Sequence, residues 1–185
     1  EAGADTISGE AGDDSISAGS ENDSIEGGDG NDTISGGSQN DTISGGAGAD
    51  SLDGGSENDS LLGGDGNDTL LAGLGNDTIY GQAGSDTIYG DAGADYLSGG
   101  VGDDMLIGGS GNDPLDGGTG RDTANYTDSS AAVRVDLGLH TGSGGDAQGD
   151  SIIRVENIIG SRFADVLIGD ANGNDIQGGE GDDTI

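Results

Sequence analysis

The chain of 185 residues has no cysteine, tryptophan or lysine, and a single proline, phenylalanine and methionine. Without cysteine there is neither a disulfide framework nor a thiolate metal site. With 29% hydrophobic residues and almost no aromatic filler, a core packed from bulky side chains is excluded. No apolar run approaches the ~20 residues of a membrane-spanning helix. Positive charge is missing from the first 120 residues, since the four basic residues are Arg121, Arg134, Arg154 and Arg162. Nucleic acid, anionic membrane and acidic polysaccharide all need Lys or Arg, so such a surface suits none of them.

Glycine (43 residues) and acidic side chains (37) are abundant instead, and the formal charge is -33. Low hydrophobicity with high net charge is a composition that leaves chains disordered, because too little apolar burial opposes conformational entropy. The spacing of the aliphatic residues argues the other way. It implies a fold, provided that cations neutralise the carboxylates.

That spacing is nine residues. In Gly27-Gly28-Asp29-Gly30-Asn31-Asp32-Thr33-Ile34-Ser35, glycine fills positions one, two and four, aspartate position six and an aliphatic position eight. The position-six aspartate recurs without a slip at Asp5, Asp14, Asp23, Asp32, Asp41, Asp50, Asp59, Asp68, Asp77, Asp86, Asp95, Asp104, Asp113 and Asp122. The aliphatic keeps step from Ile7 to Leu115 and gives way to Ala124. Three units follow: a first block of nonapeptides over 1–125, an insert over 126–159, and a second, truncated block over 160–185. The insert carries two alternating segments, Val133–Leu137 and Ile153–Val155, expected as short strands on either side of a Gly-rich loop at 142–146. In the second block Asp165, Asn174 and Asp183 hold position six. Glu1 falls at position two of one repeat and Ile185 at position eight of another, and no signal-peptide pattern precedes them, so a longer parent chain is expected.

As geometry, six residues rich in Gly, Asn and Asp make a turn, and three such as Thr33-Ile34-Ser35 make a short strand. Two repeats then form one coil of eighteen residues, and coils stack ~4.8 Å apart as two parallel sheets around a thin aliphatic core. Alternate aspartates line opposite edges in two columns of seven. Such columns repel themselves unless cations sit between them. Calcium suits the gap, because it accepts six to eight oxygens from carboxylates and from carbonyls of turns such as Gly28, Gly30, Gly46, Gly48, Gly64, Gly66, Gly109 and Gly111. Twelve neighbouring pairs imply roughly a dozen ions, whose charge of about +24 would bring -33 to roughly -9, a magnitude compatible with a soluble domain.

The pattern in Gly27–Ser35, Gly63–Leu71 and Gly108–Asp116 resembles the glycine-rich nonapeptide of RTX (hemolysin-type) calcium-binding proteins. The resemblance implies an all-β fold, a right-handed parallel β-roll interrupted by one strand-containing insert. It also implies metal ligation by the fourteen aspartates, joined by Asp165 and Asp183, with secretion by a type I system and folding upon meeting extracellular calcium. The expected localisation is secreted, extracellular or cell surface, with any hydrolase or protease outside this chain. The insert also resembles interruptions between repeat blocks in that family.

Departures from the pattern sharpen the expectations. Glu21, Gln39 and Glu57 replace glycine at position four on one edge, which either alters calcium ligation there or adds roughly 1 kcal/mol of strain. Asn174 loses a charge, and a weak site or none is expected. Thr33, Thr42, Thr69, Thr78 and Thr87 form outward ladders that suit a solvated strand, or alternatively an ice-binding face. Leu62, Leu71, Tyr80, Tyr89 and Ile107 turn position nine apolar, so a neighbouring domain or another roll is a candidate partner, against ordinary scattered exposure. Polysaccharide binding or surface adhesion is the competing binding role. No motif places a base beside a nucleophile, and His140, in a Gly-rich loop, is expected to be a solvated side chain.

Overall fold

The nonapeptide alternates inward and outward side chains from position seven to position one, and the strands follow that alternation. The computed structural model describes residues 3–185; Glu1, the position-two residue of the first repeat, lies outside the described residues. In chain order the first strands are β1 (Thr6–Ala11), β2 (Ser15–Ser20), β3 (Ser24–Asp29), β4 (Thr33–Ser38), β5 (Thr42–Ala47), β6 (Ser51–Ser56) and β7 (Ser60–Asp65). They continue as β8 (Thr69–Leu74), β9 (Thr78–Ala83), β10 (Thr87–Tyr89), β11 (Tyr96–Val101), β12 (Met105–Ile107), β13 (Pro114–Thr119) and β14 (Thr123–Asn125). Odd strands pair in one parallel sheet and even strands in the other. The register is eighteen residues, as in Ile25 against Ile43 and Ile34 against Leu52. The chain is a parallel β-solenoid of two sheets.

Most of these strands run six residues, where three were expected. Parallel neighbours extend the ladder through positions one to three, so only residues such as 30–32 are left for the turn. Positions eight and one therefore both face inward. Ile34, Ile43, Leu52, Leu61, Leu70, Ile79, Ile88, Leu97, Leu106 and Leu115 form the aliphatic ladder, each at most 1% exposed. Burying each contributes roughly 1.5–3 kcal/mol. Ala124 continues it with less volume between Leu106 and Ile158. Pro114 removes one donor: elsewhere the position-seven N–H donates to the position-six carbonyl of the preceding coil, as Tyr96 does to Asp77.

Residues 126–159 are woven into both sheets. After β14 the chain forms β15 (Arg134–Asp136), β16 (Thr141–Ser143), β17 (Ser151–Ile153) and β18 (Asn157–Ile159), then β19 (Val166–Ile168) and β20 (Asp175–Gln177). The first sheet runs β13-β17-β16-β15-β19, with β16 antiparallel to both neighbours, while the second runs β14-β18-β20. The first expected strand holds at Arg134–Asp136. The second does not: Ile153–Val155 is broken at Arg154, whose φ of 52° bends the chain between β17 and β18. The expected loop at 142–146 holds part of β16 and a short 3-10 turn at Gly145–Ala147. Arg154 is anchored outside by a two-pronged ion pair to the buried Asp116.

Candidate metal centres

Each position-six aspartate ends a three-residue turn, and its carboxylate folds back into the stack. Oδ1 accepts the backbone N–H of the aspartate one coil earlier, at 2.7–2.9 Å in every pair from Asp5–Asp23 to Asp104–Asp122. Oδ2 lies over the position-one residue of its own repeat. A Cβ on Gly54 would stand 2.6 Å from Asp59 Oδ2 and 2.7 Å from the Ala72 carbonyl of the next coil. Position one is glycine because the carboxylate occupies the space that its side chain would fill. Ala18 and Ala72, five residues before Asp23 and Asp77, are the departures in the first block.

The fourteen Oδ2 atoms from Asp5 to Asp122 are all buried without a hydrogen-bond partner. An unpartnered buried acceptor costs about 1–3 kcal/mol, more when charged, and native proteins satisfy such groups almost without exception. A column of them is a demand for positive charge. Burial pushes the carboxyls of Asp59, Asp86 and Asp95 up to about 7 and that of Asp122 to about 6; the amide hydrogen bond from the neighbouring coil opposes this, and adjacent carboxylates add to it.

Backbone carbonyls supply further oxygens. Gly28, Gly30, Gly46, Gly48, Gly64, Gly66 and Gly109 all hold positive φ. Their carbonyls point along the stack: a Cβ on Gly46 would fall on the Gly28 carbonyl, one on Gly48 on that of Gly30, and one on Gly66 on that of Gly48. Gly111 differs in lacking positive φ, although a Cβ there would meet the Gly93 carbonyl. No group of three acidic, His or Cys side chains converges on one point among the described residues. One carboxylate per turn with carbonyls around it fits calcium, which takes oxygens of both kinds.

On the edge with Glu21, Gln39 and Glu57, these residues adopt φ of 86°, 74° and 72°. The Gln39 N–H donates to Glu57 Oε2 at 2.9 Å, whereas glycine turns close on a backbone carbonyl, as Gly30 does on Ala47. The orphaned oxygens of Asp23, Asp41 and Asp59 are unchanged by this. In the second block, Asp165 accepts from Ser161 N–H, Ser161 Oγ and Val133 N–H, so both its oxygens are partnered. Asp183 is half-buried and Oδ1 accepts from Asp165 N–H. Asn174 completes its own polar set, with Nδ2 donating to the Glu156 carbonyl and Oδ1 accepting from Asp170 N–H.

Three participants escaped sequence reasoning. Asp150 Oδ1 accepts Asp113 N–H at 3.0 Å and Glu156 Oε2 accepts Asp122 N–H at 3.0 Å, so both stand at position six one coil on. Tyr126, 3% exposed, donates its hydroxyl to Asp150 Oδ2 at 2.9 Å. The signal was Asp150-Ser151-Ile152 and Glu156-Asn157-Ile158, which keep positions six to eight after the glycines are lost. Position five adds a second ladder of opposite sense, in which Asn31 N–H donates to Asp13 and Ala49 N–H to Asn31.

Of the apolar position-nine residues, Leu62, Leu71, Tyr89 and Ile107 are half-buried and Tyr80 is 39% exposed, its ring 5.7 Å from Tyr96. Tyr89 and Ile107 face Tyr126 and Ser129 of the insert across a cleft of roughly 240 Å³. His140 is exposed, with Nδ1 3.1 Å from the Ile152 carbonyl.

Among known proteins, a family model described as RTX calcium-binding nonapeptide repeat (4 copies) matches residues 1–25, 26–61, 62–97, 89–124 and 154–185. No curated protein matches the chain. Repeat spacing, solenoid and family model agree, and calcium binding is the property that this membership implies: the chain belongs to the RTX calcium-binding nonapeptide repeat family.

Proposed function

We propose that this chain is the calcium-binding β-roll module of a larger secreted protein, folding on extracellular calcium and thereby supporting type I secretion and stability of the parent chain. The observation that carries it is the pair of columns of buried, unpartnered aspartate oxygens. Asp5 through Asp122 serve as carboxylate ligands, with turn carbonyls such as those of Gly28, Gly30, Gly64 and Gly66 completing the shells. Asp183 accepts Asp165 N–H as a column member does, and Asp165 is held by Ser161. Calcium, when bound, supplies the positive charge and tolerant oxygen shell that the columns lack.

The chain's own residues make the response steep. In an unfolded chain each carboxylate is hydrated, whereas in the roll it is buried and faces others above and below. Metal-binding energy therefore becomes folding energy. Where calcium is scarce the chain stays unfolded and export-competent; at millimolar calcium, the range of extracellular modules, it orders. Among the described residues no helix is long and apolar enough to cross a membrane.

Circular dichroism of the whole chain at pH 7, titrated with calcium from excess chelator, tests this. A cooperative gain of β signal is expected. A full β spectrum persisting in chelator overturns the proposal.

A further inference from the structure

The nonapeptides of the first block stop at Asp122, but the carboxylate columns do not. On one edge the next position six is Asp150, on the other Glu156, and each accepts the preceding aspartate's N–H as a regular repeat does. Their surroundings differ. Asp113, like Asp122, is fully buried with an unpartnered Oδ2, but on its edge the next carboxylate is already engaged: Asp150 Oδ2 is taken by the Tyr126 hydroxyl.

On the Glu156 edge the site is open. Asp122 is fully buried and its Oδ2 has no partner. A Cβ on Gly117 would fall on the Arg154 carbonyl and stand 2.5 Å from Asp122 Oδ2, the same pairing that Gly54 shows with Asp59 and Ala72. The Arg154 carbonyl thus does the work of a position-one carbonyl. Left-handed φ at Arg154 and its ion pair to Asp116 hold it there, with the guanidinium outside and the carbonyl inside. In a regular repeat position one precedes position six by five residues, and here Arg154 precedes Glu156 by two. The longer glutamate side chain reaches across where the glycine arc is missing.

We infer that Asp122, Glu156 and the Arg154 carbonyl form one further calcium site beyond the nonapeptides, and that the matching Asp113–Asp150 step, closed by Tyr126, holds none. The inference rests on the calcium reading of the columns proposed above. It makes the insert a continuation of one ion column and the stop of the other.

Ions bound per chain, counted by native mass spectrometry at saturating calcium, test it on the whole protein. Glu156→Gln keeps an oxygen for Asp122 N–H and is expected to bind one ion fewer than wild type. Asp150→Asn keeps an oxygen for Asp113 N–H and is expected to bind as many as wild type. An unchanged count in Glu156→Gln, or a loss of one ion in Asp150→Asn, overturns the inference while the columns stand. A wild-type chain that binds no calcium overturns the columns as well. A calcium-loaded crystal of the wild type needs no variant to fold: an anomalous peak between Asp122 and Glu156 supports the site, and its absence there, with peaks along the columns, refutes it.

Discussion

Gly84 stands at position four with φ of 138°, and any Cβ there would overlap the Gly66 carbonyl of the coil before. Two penalties coincide, a left-handed backbone and a blocked approach between coils. Gly84→Ala is expected to destabilise the calcium-loaded roll by about 2–4 kcal/mol, read as a lower thermal midpoint in saturating calcium. Gln39 is the converse, a side chain held at φ of 74° on the edge where glycine is usual. Gln39→Gly is expected to stabilise by about 1 kcal/mol and to fold at lower calcium. An unchanged or higher calcium midpoint would show that this edge needs its side chain. The repeat made positive φ legible at the glycines of positions two and four, and Gly28, Gly30, Gly46, Gly48, Gly64, Gly66 and Gly109 show it. The position-two glycines Gly28, Gly46 and Gly64 nevertheless lie within strands rather than in the turn, and Gly111 lacks positive φ. The glycine at position one was not legible. Its reason is the aspartate five residues later, lying over its Cα, and a linear pattern does not say which way a carboxylate folds.

At the scale of elements, the aliphatic ladder and its eighteen-residue register follow directly from position eight, because period two forces each such residue to one face. The insert did not follow, since its pairings depend on which strand it meets. Thr141–Ser143 has no apolar alternation and becomes a strand only between β15 and β17. Ile153–Val155 alternates well, yet breaks because Arg154 turns toward Asp116. Tyr126 ties this region to the first block through Asp150, whose carboxyl burial pushes up to about 7. Tyr126→Phe would leave a buried acceptor without its donor and is expected to destabilise by about 1–3 kcal/mol. The loss should be greater at pH 8, where Asp150 is ionised, than at pH 5. Thermal melts in calcium at the two pH values check this, and equal losses would mean that the ring's packing, and not the hydrogen bond, is what matters.

For the molecule as a whole, proton and calcium are rival answers to the same buried charge. Asp59, Asp86 and Asp95 have carboxyls raised to about 7, chiefly by burial, against about 3.9 for an unfolded aspartate. Between those values the folded chain binds more protons than the unfolded one. The contribution to stability is therefore fully present below about pH 4 and is lost as pH rises through about 7. Protonation also relieves the self-repulsion of a chain carrying -33. In excess chelator, lowering the pH from 8 to about 4 is expected to raise the β signal without any metal. With calcium present the sign reverses, because a protonated carboxylate is a poor ligand: the calcium midpoint should rise as pH falls from 7 to 5. Circular dichroism over the two-dimensional grid of pH and calcium measures both slopes at once. If the chelated chain gives the same weak spectrum at pH 4 and pH 8, then neutralising the columns is not sufficient for folding, and calcium must act by joining carbonyls of adjacent coils as well as by its charge.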